Sequence, residues 1–178
     1  MAPLTKLDPY GALIEPATLK IQRLLPGPIE RCWEWITDSD LRRQWLASGV
    51  MDLTEGAPFE FTWKNDTLTN PPGQRPAGFG AEHSMKCRIV TVDAPRQLVI
   101  TWGERSEVSF ALEPQGDEVL LTLVHRRVPD RDTLLNVSAG WHAHLDVLVA
   151  RARGIEPTPF WDGWTRLKAT YTGRLPTA

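Results

Sequence analysis

Residues 83–127 read HSMKCRIVTVDAPRQLVITWGERSEVSFALEPQGDEVLLTLVHRR. Period-two strand patterns occupy 83–93, 97–102, 106–113 and 118–127. Pro95-Arg96 and Pro114-Gln115-Gly116-Asp117 separate them, and such residues favour turns because they preset or relax the backbone dihedrals. Consecutive strands with short connections predict a meandering antiparallel sheet.

The reading extends in both directions. Upstream, PFEFTWK (58–64) places Phe59, Phe61 and Trp63 on one face and Glu60, Thr62 and Lys64 on the other. LKIQRLL (19–25) alternates, with Leu19, Ile21 and Leu25 sharing a face and Arg23 in the same phase. Pro26-Gly27-Pro28 stops that strand, and Pro28 suits a first helical position, where its missing N–H costs nothing. Ile29, Cys32, Trp33 and Ile36 then give a helical stripe over 28–36. Asp38 or Ser39 caps a second short helix, SDLRRQWL (39–46). NDTLTNPPGQRPAGFG (65–80) is a loop by composition. Loops of this length are uncommon in compact domains unless they cover a site or move. Downstream, Trp141, Leu145, Leu148 and Ala152 form one stripe of a helix over 138–153, and Gly154 is its stop. Phe160, Trp164, Leu167 and Tyr171 repeat that spacing in a tail helix over 158–174.

The order is β, α, α, several β, α, α, which is the α+β class. A long amphipathic helix must cover the apolar face of the sheet. Where the sheet curves away, a cavity is left between them. The expected organisation is an irregular segment 1–16, one domain over 17–154 and a helical extension over 155–178.

The 178 residues suffice for one domain that buries roughly 70% of its unfolded surface. Twenty Lys and Arg against 22 Asp and Glu leave a net charge of −2, so nothing favours nucleic acid or an anionic membrane. Cys32 and Cys87 stand alone, which reads as two buried thiols in a reducing compartment. The N-terminus lacks the apolar core of a secretory signal, and no run is long enough to span a bilayer. A soluble cytoplasmic protein is expected.

Five pieces together resemble a known family. They are Pro28-x-Glu30-x-x-Trp33 with Thr37-Asp38 and Gln44-Trp45; Pro95-Arg96-x-Leu98 with Thr101-Trp102; Ser106 to Leu112; Leu121-Thr122-Leu123-x-His125; and Gly140-Trp141-x-x-x-Leu145-x-x-Leu148. In this order they are similar to the C-terminal domain of the activator of heat-shock-protein-90 ATPase, within the START-like (SRPBCC) superfamily. The resemblance covers roughly residues 17–154, and agreement of several weak signals on one fold is its strength. It implies a helix-grip fold, in which a curved antiparallel sheet wraps a long C-terminal helix and two short helices follow the first strand. It also implies a chaperone as partner and a role in stress response. Glu55-Gly56-Ala57 departs from the Gly-Gly usual before the second strand, and 157–178 extends past the grip helix.

Candidate chemistry is sparse. His142 and His144, two apart on a helix, point about 200° apart and cannot grip one metal. They read as boundary histidines, with His142 and Asp146 forming a surface pair. Arg23 reads as a strand-end residue with its guanidinium turned out. His125 continues the phase of Leu121 and Leu123, so it is either hydrogen-bonded core or a polar contact in a pocket. No nucleophile elbow, catalytic-cysteine signature or phosphate loop occurs, and no metal or cofactor site is expected. The leading expectation is therefore a non-enzymatic protein that binds a small apolar ligand between sheet and helix. Its expected lining is Trp63, Trp102, Phe110, His125, Trp141, Leu145 and Leu148, with loop 65–80 as rim or lid. Two alternatives stand beside it. One is a chaperone-ATPase activator; the other is a cyclase- or hydrolase-like START enzyme with His125 as general acid/base. The tail helix either packs on its own domain or joins a homodimer.

Overall fold

The alternation over 83–127 is realised as four antiparallel strands of a larger sheet. The computed structural model describes residues 7–177. Its strands are β1 (Ala12–Glu15), β2 (Thr18–Pro26), β3 (Pro58–Trp63), β4 (His83–Asp93), β5 (Gln97–Trp102), β6 (Ser106–Gln115) and β7 (Glu118–Arg126). They form one sheet of order β1-β2-β7-β6-β5-β4-β3. Helices α1 (Ile29–Thr37) and α2 (Ser39–Arg42) follow β2. Helix α3 (Arg131–Arg153) follows β7, and α4 (Phe160–Arg174) comes last. This is the α+β helix-grip arrangement.

Register follows the apolar phase. Ile21 faces Leu123 and Leu25 faces Val119 across β2 and β7. Leu123 faces Phe110 across β7 and β6, and Phe110 faces Leu98 across β6 and β5. All of these are buried on one face. A one-residue slip would turn the whole set outward, so burial of one face fixes the pairing. A bulge in β4 between Ile89 and Thr91 adds local bend and twist.

Helix α3 lies on that buried face, and α4 packs on α3. The α3 helix starts seven residues before the expected 138, at Arg131. Asp130 caps it by accepting from the Thr133 N–H at 2.7 Å. The apolar stripe is diluted in these first turns, so periodicity alone misses them. Gly154 ends the helix in the left-handed conformation (φ 69°), as its place in the sequence predicts.

Other boundaries differ from expectation. Residues 12–15, expected irregular, form β1 against β2. Three of its four residues are exposed, so an edge strand leaves little apolar pattern to read. The rest of the irregular segment before residue 7, and Ala178 of the extension, lie outside the described residues. The second helix spans only Ser39–Arg42 of the expected 39–46, although Asp38 caps it as expected, accepting from the N–H groups of Asp40 and Leu41. The remainder turns because the Arg42 guanidinium, buried and without a carboxylate partner, gathers the carbonyls of Ile36 (3.0 Å), Ala47 (3.1 Å) and Gly49. Arg42 also lies 5.1 Å from the Phe61 ring centre, tying this connection to β3.

Candidate functional site

A cavity of about 450 Å³ opens where β3, β5, α3 and α4 converge. Its sheet-side bank is aromatic. Trp63 of β3 and Trp102 of β5 stand 5.5 Å apart, and Trp102 lies 4.9 Å from Trp141 of α3. Phe160, Trp161 and Trp164 of α4 form the opposite bank. The segment 78–83 closes one side, and Phe79 packs at 5.0 Å on Trp164 and 5.6 Å on Trp161. Edge-to-face contacts of this kind hold the rings in defined orientations.

The wall from α3 takes only Trp141 from the apolar stripe. Beside it stand Asn136, Gly140 and His144, spaced by four and therefore on one helix face. Gly140 carries no side chain at its centre. A Cβ built there would meet only Trp164 Nε1, at 3.9 Å, so this glycine leaves space open. Asn136 and Asn65 also line the cavity, although their side-chain oxygens are themselves buried and have no hydrogen-bond partner among the described residues.

His144 is 6% exposed. Its Nδ1 lies 2.8 Å from the Trp45 carbonyl oxygen, which can only accept, so Nδ1 carries the proton. Trp45 is anchored in turn, its Nε1–H donating to the Trp35 carbonyl at 2.8 Å. Burial pushes the His144 pKa down to about 4, so the ring is neutral near pH 7.

The structure distributes the seven residues expected at the site between two layers. Trp63, Trp102 and Trp141 line the cavity. Phe110, Leu145 and Leu148 are buried in the core and do not line it. His125 is 1% exposed and stands behind Trp141, accepting from its indole N–H at 3.0 Å. That bond requires an unprotonated Nδ1, and burial lowers the His125 pKa to about 4. His125 thus orients a cavity wall. Loop 65–80 contributes Asn65, Gly78, Phe79 and Gly80 to the rim.

Three expectations are corrected. His142 and His144 are buried, not boundary residues: Tyr171 of α4 covers His142, and Phe160 of α4 with the Trp45 carbonyl covers His144. His142 Nδ1 lies 2.8 Å from the Tyr171 hydroxyl. Arg23 does not turn outward: its guanidinium is buried, bonded to Asp146 at 3.0 Å and to the Pro9 carbonyl at 2.6 Å. Among the described residues no group of three or more His, Cys, Asp or Glu could hold a metal ion. No helix among them is long and apolar enough to cross a membrane.

Comparison with known proteins agrees with this fold. The family model described as Activator of Hsp90 ATPase homolog 1-like protein matches residues 26–153. The solution structure of a Bordetella parapertussis protein is 35% identical, with a TM-score of 0.79, over 99% of this chain and 97% of that one. The crystal structure of CalU16 from Micromonospora echinospora is 24% identical, with a TM-score of 0.64, over 88% and 86% of the two chains. DynU16, a protein of the dynemicin biosynthetic locus, is 16% identical, with a TM-score of 0.63, over 79% of this chain and 49% of that one. The last two likenesses are of fold alone. No curated protein matches the chain.

Proposed function

The chain belongs to the Activator of Hsp90 ATPase homolog 1-like family, and from its cavity we propose that it is a non-enzymatic binder of a small, largely apolar ligand. The observation that carries this reading is the aromatic cavity of about 450 Å³, with Asn65, Asn136 and His144 as polar residues in its wall. Ligand sites are typically of ~300–1,000 Å³, mostly apolar, with a few placed polar groups. A fully packed core would not leave this space. Rings on both banks suit flat guests, since aromatic faces and edges favour offset or edge-on contact.

Native mass spectrometry of the purified protein, followed by titration with naphthalene, tests the reading. Gly140→Leu places a side chain in the space that Gly140 leaves open. Wild type should retain a co-purified small molecule or take up naphthalene, and Gly140→Leu should do neither. Absence of both from wild type, with no shift in its melting temperature, would overturn the reading.

A further inference from the structure

One side chain of the cavity wall offers an unpaired acceptor. His144 Nδ1–H is spent on the Trp45 carbonyl. In the neutral ring its Nε2 is therefore an acceptor, and it has no partner among the described residues. The side chain is more than nine-tenths buried and lines the cavity. No Lys or Arg lines this cavity; its one carboxylate, Glu82, and its second imidazole, His83, are on exposed residues at the rim.

These observations discriminate among ligands. A carboxylate or phosphate would set its charge against the lone pair of His144 Nε2, with no Lys or Arg beside it. A bare hydrocarbon would leave Nε2 unpaired, which is costly in a dry site. An ammonium would be desolvated with no buried counter-charge. A neutral hydroxyl satisfies Nε2 without burying charge. Resting on the cavity reading above, we propose that the ligand class is a neutral hydroxylated aromatic, a phenol or a fused-ring homologue, whose O–H donates to His144 Nε2.

Isothermal titration calorimetry with matched probes tests this. The probes are naphthalene, 2-naphthol, 2-naphthoate and 2-naphthylmethylamine. Wild type should bind 2-naphthol about tenfold more tightly than naphthalene, the worth of one good hydrogen bond. It should bind 2-naphthoate and 2-naphthylmethylamine more weakly than 2-naphthol. His144→Asn keeps a donor at the position of Nδ1 for the Trp45 carbonyl and removes Nε2. It should bring the 2-naphthol and naphthalene affinities together, whatever the change in the affinity for naphthalene itself.

A nitrogen-15 NMR spectrum of wild type gives a second reading that does not depend on a variant. The His144 Nε2 resonance should start as an unprotonated nitrogen and move on addition of 2-naphthol. Equal affinity for 2-naphthol and naphthalene would overturn the proposal and leave the cavity reading intact. So would a still Nε2 resonance, or tighter binding of the acid or the amine. Failure of wild type to bind any probe would overturn the proposal, and, where no co-purified molecule is retained either, the cavity reading with it.

Discussion

His142 and His144 sit two apart in sequence and do different work. His144 faces the cavity. His142 faces a buried chain of polar groups under α4. The Gly11 N–H donates to the Tyr171 hydroxyl at 2.8 Å, so the hydroxyl proton is free to donate to His142 Nδ1. That tautomer turns Nε2–H toward Asp146, 3.5 Å away, and Asp146 accepts from Arg23 as well. Tyr171→Phe removes the hydroxyl and leaves the Gly11 N–H and His142 Nδ1 unpaired in the interior. A loss of about 1–3 kcal/mol is expected, read from the urea midpoint with an unchanged slope. The His142–Asp146 pair was legible as a four-residue spacing. Its burial was not, because the covering groups come from Tyr171 and Gly11, far away in sequence.

At the scale of elements, α3 combines two faces with different tasks. Trp141, Leu145 and Leu148 are its buried stripe, and this was legible from spacing. Asn136, Gly140 and His144 form the cavity face, and nothing in an apolar pattern marks a glycine between two polar residues as a wall. Glycine inside a helix costs about 1 kcal/mol relative to alanine. Gly140→Ala should therefore stabilise the protein by about 0.5–1 kcal/mol, since the added Cβ meets only an ordinary contact at 3.9 Å. Thermal unfolding should show a rise of a few degrees. An unchanged or lower melting temperature would mean that Gly140 is held for its backbone and not for the space it leaves. Helix α4 was also legible: its stripe of Phe160, Trp164, Leu167 and Tyr171 is buried within the same chain. Intrachain packing thus accounts for that face, and a homodimer is not needed to cover it.

The whole molecule carries three buried neutral imidazoles. Burial is the main cause in each, and the Arg23 charge adds to it at His142. It holds His125 and His144 at about 4 and His142 at about 3, against 6.5 for a free ring. The unfolded chain takes up these protons near pH 6.5, whereas the folded chain does not until about pH 4 or below. Between those values the unfolded state binds more protons, so acidification favours it. Stability should be fully present above pH 6.5 and fall steeply as the pH drops towards 4. At about 1.4 kcal/mol per pH unit per group, the loss is comparable with a typical folding free energy of about 5–15 kcal/mol. Melting temperatures recorded from pH 7.5 to 4.5 check this; a flat profile over that range would contradict it. At this scale the sequence carried the order of elements from β2 onward and the buried phase of the strands, because period-two burial leaves a direct trace in 83–127. It did not carry the cavity, whose volume depends on where β3, β5, α3 and α4 fail to fill the space between them.

One consequence of the tryptophan banks concerns light. Five of the eight tryptophans, Trp63, Trp102, Trp141, Trp161 and Trp164, border the same cavity. Trp63, Trp102 and Trp141 follow one another at 5.5 and 4.9 Å, and Trp161 and Trp164 are 6.0 Å apart. Indoles this close share excitation, and their fixed tilts make the shared transitions chiral. The molecule thus contains its own unlabelled chromophore array. A guest that shifts one ring changes the coupling of its neighbours, so its arrival is written into the aromatic circular dichroism of the native chain.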